Sequence, residues 1–226
     1  MEELELISGI TVETVRAVLA PRAPLYGVRA PVYQTVLLQQ LRAIWNPAHR
    51  KILDVGGGTG LMAEAIQKLF PVDQVVSVDV EDRYLPNLSV KTGIFDGSTL
   101  PFPNASFDCV ILNNVLHHVP RGQRIKLISE CKRVAGPLYI KDHLAVAFGD
   151  HVRLQILDLL GNAPFKGMIK AEYLTPDEWR EIAALAGYEM SIYDGGRYRY
   201  GAMAAIFPNR LECVIKFDPR NGRVDN

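Results

Sequence analysis

The heptapeptide Asp54-Val55-Gly56-Gly57-Gly58-Thr59-Gly60 constrains this chain more than any other stretch. It follows a short apolar run, KILDV (51–55), and precedes a helical stripe of Leu61, Met62, Ala65, Ile66, Leu69 and Phe70. A strand that turns through glycines into a helix lets the backbone reverse sharply and lets a ligand approach with no Cβ in the way. The spacing discriminates between ligands. A dinucleotide fingerprint reads G-x-G-x-x-G and delivers a pyrophosphate to the helix N-terminus. Counted from Gly56, the sixth position is Leu61, so that pattern fails. The pattern present is D-x-G-x-G-x-G, whose leading carboxylate suits a cationic ligand group better than a phosphate.

Downstream, β-branched runs alternate with helical patterns. VVSVDV (75–80), VKTGIF (90–95), FDCVILN (107–113) and GPLYIKDHL (136–144) read as strands, with a helix over 121–134. This predicts an α/β fold, a parallel sheet with helices on both faces. Val152, Ile156, Leu159 and Leu160 stripe a further helix stopped by Gly161. In TPDEWREIAALAG (175–187), Thr175 is the cap, Pro176 opens the helix and Glu178 completes a capping box. YEMSIYD, YGAMAAIF and LECVIKF then predict antiparallel strands closing the sheet. Ahead of it all, residues 1–48 read as a helical preface. A helix from Thr11 to Leu19 is stopped by Pro21, PRAPLYGVRAP (21–31) is an irregular connection, and Leu37, Leu41, Ile44 and Trp45 share one face of the next helix.

These features together resemble the class I S-adenosylmethionine-dependent methyltransferases, in particular the small-molecule, type 11-like group. ILDVGGGTG (52–60) is similar to the family's first motif. The resemblance implies a Rossmann-like seven-stranded, mostly parallel sheet and S-adenosylmethionine as cofactor. It assigns Asp54, Gly56, Gly57, Gly58 and Gly60 to the glycine loop. Asp79 and Val80, ending the second strand, stand where the family binds the ribose hydroxyls, and Asp79 lies 19 residues beyond Gly60. Asp96 and Gly97 stand where the adenine amino group is held. FDCVILNNVLHHVP (107–120) is similar to the fourth-strand motif, with Asn113 beneath the methionine part. On this map, residues 1–48 are a lid or substrate cap. Residues 49–226 are the cofactor-binding domain, with an insert at 144–172.

Methyl transfer from a sulfonium needs alignment and exclusion of water, plus a base only where the acceptor holds its proton firmly. His118 and His143 are the candidate catalytic bases, both near carboxyl ends of strands. His49 falls in a linker and is expected to be solvated. His143 follows Asp142, but neighbours on a strand point to opposite faces. Substrate contacts are expected from Tyr26 in the preface and from Arg197, Tyr198 and Arg199 in GGRYRYG, which suits an anionic or aromatic acceptor.

Charge narrows the partners. Twenty-five Lys and Arg balance twenty-five Asp and Glu, so there is no polycationic signal for nucleic acid or for a membrane surface. Nor does Asn113-Asn114-Val115-Leu116 match the N-P-P-Y-type motif of base or glutamine amino-group methylation. Cys109, Cys131 and Cys213 form no CxxC pair, so neither a disulfide framework nor a metal site is expected, and a cytoplasmic location fits. A cation-dependent O-methyl transfer needs a carboxylate cluster that Asp142 alone does not make. The expected assembly is a monomer or homodimer. Two alternatives keep the fold: a different reaction on the same cofactor, or a non-catalytic partner subunit. A nicotinamide enzyme is disfavoured by Leu61.

Overall fold

The computed structural model describes residues 9–162 and 171–220, so residues 163–170 of the expected insert lie outside the described residues. Three helices come first. They are α1 (Val12–Leu19), which Thr11 opens through a capping box, the single turn α2 (Leu25–Val28), and α3 (Val32–Ala43). β1 (Lys51–Val55), α4 (Leu61–Leu69), β2 (Gln74–Asp79), β3 (Lys91–Ile94) and β4 (Cys109–Asn113) follow. A 3-10 turn (Leu116–His118) leads to α5 (Arg121–Val134), β5 (Leu138–His143) and α6 (Asp150–Asn162). The chain ends with α7 (Pro176–Leu185), β6 (Tyr188–Asp194), α8 (Gly201–Ile206) and β7 (Glu212–Pro219).

The seven strands form one sheet in the order β3-β2-β1-β4-β5-β7-β6. β1 to β5 pair in parallel, and β7 runs antiparallel to both of its neighbours. This is the Rossmann-like architecture that the glycine loop and the alternation predict. Side chains alternate across the sheet, so each strand feeds two cores. Leu53, Val55, Val110 and Leu112 pack with Leu127 and Ile128 of α5 and Trp179 of α7. Ile52, Val75, Cys109 and Ile111 pack on the other face with Val15, Leu38, Leu41 and Ile66. The preface helices thus supply much of one core.

Four expectations are corrected. YGAMAAIF is not a strand: Gly201–Ile206 is the helix α8. Alanine and methionine favour helix, and β6 already fills the edge of β7 from Tyr188↔Pro219 to Asp194↔Cys213. The stripe on α6 faces outward, with Val152, Ile156 and Leu159 exposed, and the helix runs one residue past Gly161. It docks instead through Leu154, against Ala145, Tyr173 and Leu211, and through buried Asp158. His49 is buried rather than solvated: its Nδ1 lies 3.2 Å from the Tyr139 hydroxyl, and its ring meets Trp45 edge-on. The irregular connection at 21–31 contains the short helix α2.

Candidate active site

Strand order reverses between β1 and β4, and a cavity of about 460 Å³ opens at the carboxyl ends of β1, β2 and β4. A parallel sheet binds its ligand at such a switch point because the flanking loops diverge there and leave a crevice. Gly56, Gly57 and Gly58 form one wall. At Gly57 a Cβ would come within 1.8 Å of the Ser77 Oγ, so no side chain fits between the loop and β2. Gly56 has φ +77°, the left-handed region that favours glycine. Gly60 (φ +78°) caps α4, packs on Tyr84 and Leu88, and stays outside the cavity lining.

Carboxylates ring this wall. Asp54 is buried at the end of β1 and accepts a hydrogen bond from Ser77 Oγ at 2.6 Å. Burial pushes its carboxyl up to about 6; the Ser77 bond opposes the shift and the charge of Asp79 adds to it. Asp79 accepts from the Gly58 amide at 2.6 Å and from the Glu81 amide at 3.1 Å, with Arg83 Nη2 3.7 Å away. Asp96 Oδ1 accepts from the amides of Ser98 and Thr99, which fixes the turn that carries Gly97. Val80, Asp96 and Gly97 line the cavity beside Asp79. Asn113 also lines it, and its Oδ1 is buried with no hydrogen-bond partner. An orphaned acceptor costs about 1–3 kcal/mol, so a bound donor is the natural partner here.

The opposite wall comes from the preface. Tyr26, Tyr33 and Gln34 line the cavity, and Gln34 Nε2 donates to the Tyr26 hydroxyl at 2.8 Å. Tyr33 and Gln34 are functional candidates that the sequence reading missed; only their place on the preface marked them. Asn114 (φ +57°) joins the two walls, donating to the Tyr33 hydroxyl at 3.1 Å and accepting from Lys141 Nζ at 2.6 Å. Lys141 in turn pairs with Glu212 at 2.5 Å, both fully buried. Burial opposes that ammonium's charge, but Glu212 outweighs it and holds Lys141 above its usual range.

His118 lines the cavity, whereas His143 sits behind it. His143 Nδ1 is 3.1 Å from Glu212 and its Nε2 is 3.4 Å from Asp158. The partner of Asp142 is His117, whose Nδ1 lies 2.5 Å from its Oδ1. Burial disfavours the His117 imidazolium, but Asp142 and Asp158 outweigh it and push its pKa up to about 9. Arg197, Tyr198 and Arg199 stay outside the cavity lining. Arg197 is exposed, while Tyr198 and Arg199 both donate to Glu212, and Arg199 also donates to the carbonyls of Phe207 and Pro208. Tyr198 meets Tyr33 edge-on at 5.0 Å, so it supports the wall from behind.

A methyltransferase domain model matches residues 53–138, from the first strand through the fourth and into the fifth. That match spans 86 of the 226 residues, and together with the sheet order and the glycine loop it supports a class I S-adenosylmethionine-dependent methyltransferase. Among curated relatives, strychnine O-methyltransferase from Strychnos nux-vomica is 27% identical over 73% of the chain and 48% of the relative. A flavonoid 4'-O-methyltransferase from Glycine max is 25% identical, over 70% of the chain and 45% of its own length. The chain therefore spans about half the length of these relatives. Among solved structures, human N-acetylserotonin methyltransferase in complex with SAM superposes with a TM-score of 0.58 at 16% identity, over 92% of this chain and 56% of that one. At that identity the likeness concerns the fold.

Proposed function

We propose that this protein transfers a methyl group from S-adenosylmethionine to an oxygen of a small molecule held between the glycine loop and the preface helices. The observation that carries the reading is the cavity itself, with loop glycines and paired carboxylates on one wall and tyrosines on the other. The residues present fit the cofactor: the loop leaves no room for a Cβ at Gly57, and Asn113 presents an orphaned buried acceptor. Asp79, Val80, Asp96 and Gly97 would hold its adenosine part, and Asp54, Gly56, Gly58 and Asn113 its amino-acid part. The bound sulfonium supplies an already activated methyl group. The protein's task is then orientation and the exclusion of water. Tyr26, Tyr33 and Gln34 would close over the acceptor, which makes residues 1–48 the substrate cap. His118 is the catalytic residue of the proposal, because it is the imidazole that lines the cavity. His143 is a positioning residue, acting through Asp158 and Glu212.

Oxygen as the acceptor atom is favoured by the relatives named O-methyltransferases, and small size by a cavity that the preface walls in. The test is release of S-adenosylhomocysteine with a panel of small aromatic hydroxy compounds, with tRNA and protein as competing acceptors. Turnover of at least one small compound, lost in Asp79→Ala, is expected. Turnover of the macromolecules alone would contradict the proposal.

A further inference from the structure

At the edge of the cavity, three histidines from two separate places in the sequence surround one carboxylate. His117 Nε2 lies 3.3 Å from Asp158 Oδ2, His118 Nε2 lies 4.0 Å from the same oxygen, and His143 Nε2 lies 3.4 Å from Oδ1. The ligand atoms of His117, His118 and Asp158 all fall within 4.8 Å of one another. Around a tetrahedral zinc ion, with bonds near 2.0–2.1 Å, neighbouring ligand atoms are roughly 3.3 Å apart. The cluster is already close to that spacing.

Two further observations point to a cation at its centre. Asp142 can only accept, so His117 Nδ1 must carry the proton of their 2.5 Å contact. The carboxylate is itself fixed by the amides of Leu116 and His143. That commits Nδ1 and leaves Nε2, which is buried, forms no hydrogen bond and lies 3.3 Å from Asp158 Oδ2, as the ring atom that a metal would take in place of a proton. The permanent cations nearby are already engaged: Lys141 and Arg199 both pair with Glu212. Among the described residues no Lys or Arg forms an ion pair with Asp142 or Asp158. The outer shell also has the form that orients metal-bound imidazoles. His117 is backed by Asp142, His143 by Glu212, and Asp158 accepts from the Tyr173 hydroxyl at 2.8 Å.

We propose that His117, His118 and Asp158, with His143 positioning the carboxylate, form a binding site for a divalent transition metal of the zinc type. Two imidazoles and a carboxylate, with a position left open, suit zinc, whereas magnesium and calcium prefer an all-oxygen shell. The expectation of no metal site came from the cysteines, and these ligands use none of them. The inference deepens the methyl-transfer reading at one residue: as a ligand, His118 meets the acceptor through the metal rather than as a free base. Metal binding is measured without cofactor or acceptor, so its failure leaves methyl transfer standing.

The test uses the full-length, tag-free protein, stripped with chelator and titrated with Zn²⁺ alone by calorimetry. A parallel Co²⁺ titration reads the visible bands of a tetrahedral site. One equivalent bound is expected. Binding should weaken by more than roughly 100-fold in His118→Gln and in Asp158→Asn, and by about 10–100-fold in Asp142→Asn, whose effect is on ligand orientation. Circular dichroism shows which variants stay folded. Failure of the folded wild-type protein to take up either ion would overturn the proposal. Uptake that is equal in wild type and in folded His118→Gln would overturn it too.

Discussion

Gly57 and Asp79 divide the cofactor problem between shape and charge. A Cβ at Gly57 would press on Ser77 Oγ and on Asp54 Oδ2 at 2.7 Å. Gly57→Ala should therefore cost about 1–3 kcal/mol of stability through overpacking and weaken S-adenosylhomocysteine together with it; thermal melts and calorimetry read the two. Asp54 adds a pH dependence. It faces Ser77, Asp79 and Tyr84, and burial places its carboxyl at about 6. Its folded pKa is raised, so the ionised form is disfavoured by folding, and stability is gained as pH falls through 6. A cationic ligand group has the opposite preference and needs the carboxylate. Affinity for S-adenosylhomocysteine should accordingly fall about tenfold from pH 7 to pH 5; a flat profile over that range would remove Asp54 from the site. Asp54 and Asp79 were legible in the sequence because each ends a strand beside a glycine-defined loop. His117 with Asp142, and Asp158 with three histidines, were not. Their partners are 15 to 41 residues apart and meet only when β5, the 3-10 turn and α6 pack together.

At the scale of elements, the buried chain Tyr33–Asn114–Lys141–Glu212 ties α3 to β4, β5 and β7. Removing one member of a buried pair strands the other charge, at a cost of about 3–5 kcal/mol. Lys141→Met should approach the lower end in chemical denaturation, because Arg199 still reaches Glu212, and Lys141→Met with Glu212→Gln should recover part of the loss. No local pattern in GPLYIKDHL distinguishes a buried Lys141 from an exposed one, since its counter-charge comes from β7. The capped helix α7 shows the reverse. Thr175 and Glu178 form their reciprocal bonds as the sequence dictates, because a cap is decided by residues three apart. For α8 and the outward stripe of α6, apolar composition misled, since neighbouring elements had already taken the inward positions.

For the whole molecule, the preface is both wall and core. Val15, Leu19, Leu38 and Leu41 share one buried cluster with Ile52 of β1 and Ile66 of α4. Deleting residues 1–43 should therefore give a protein that unfolds at lower denaturant and binds hydrophobic dye, rather than an intact domain without its cap. No described helix is long and apolar enough to cross a membrane. The alternation of strands and helices made the parallel sheet legible from sequence, while the depth to which the preface is built into it emerged only in three dimensions. The most direct test of the central claim is calorimetric titration of the full chain with S-adenosylhomocysteine and, separately, with NADH. The account predicts one site for S-adenosylhomocysteine, lost in Asp79→Ala, and no heat from NADH. Binding of NADH without S-adenosylhomocysteine would contradict it.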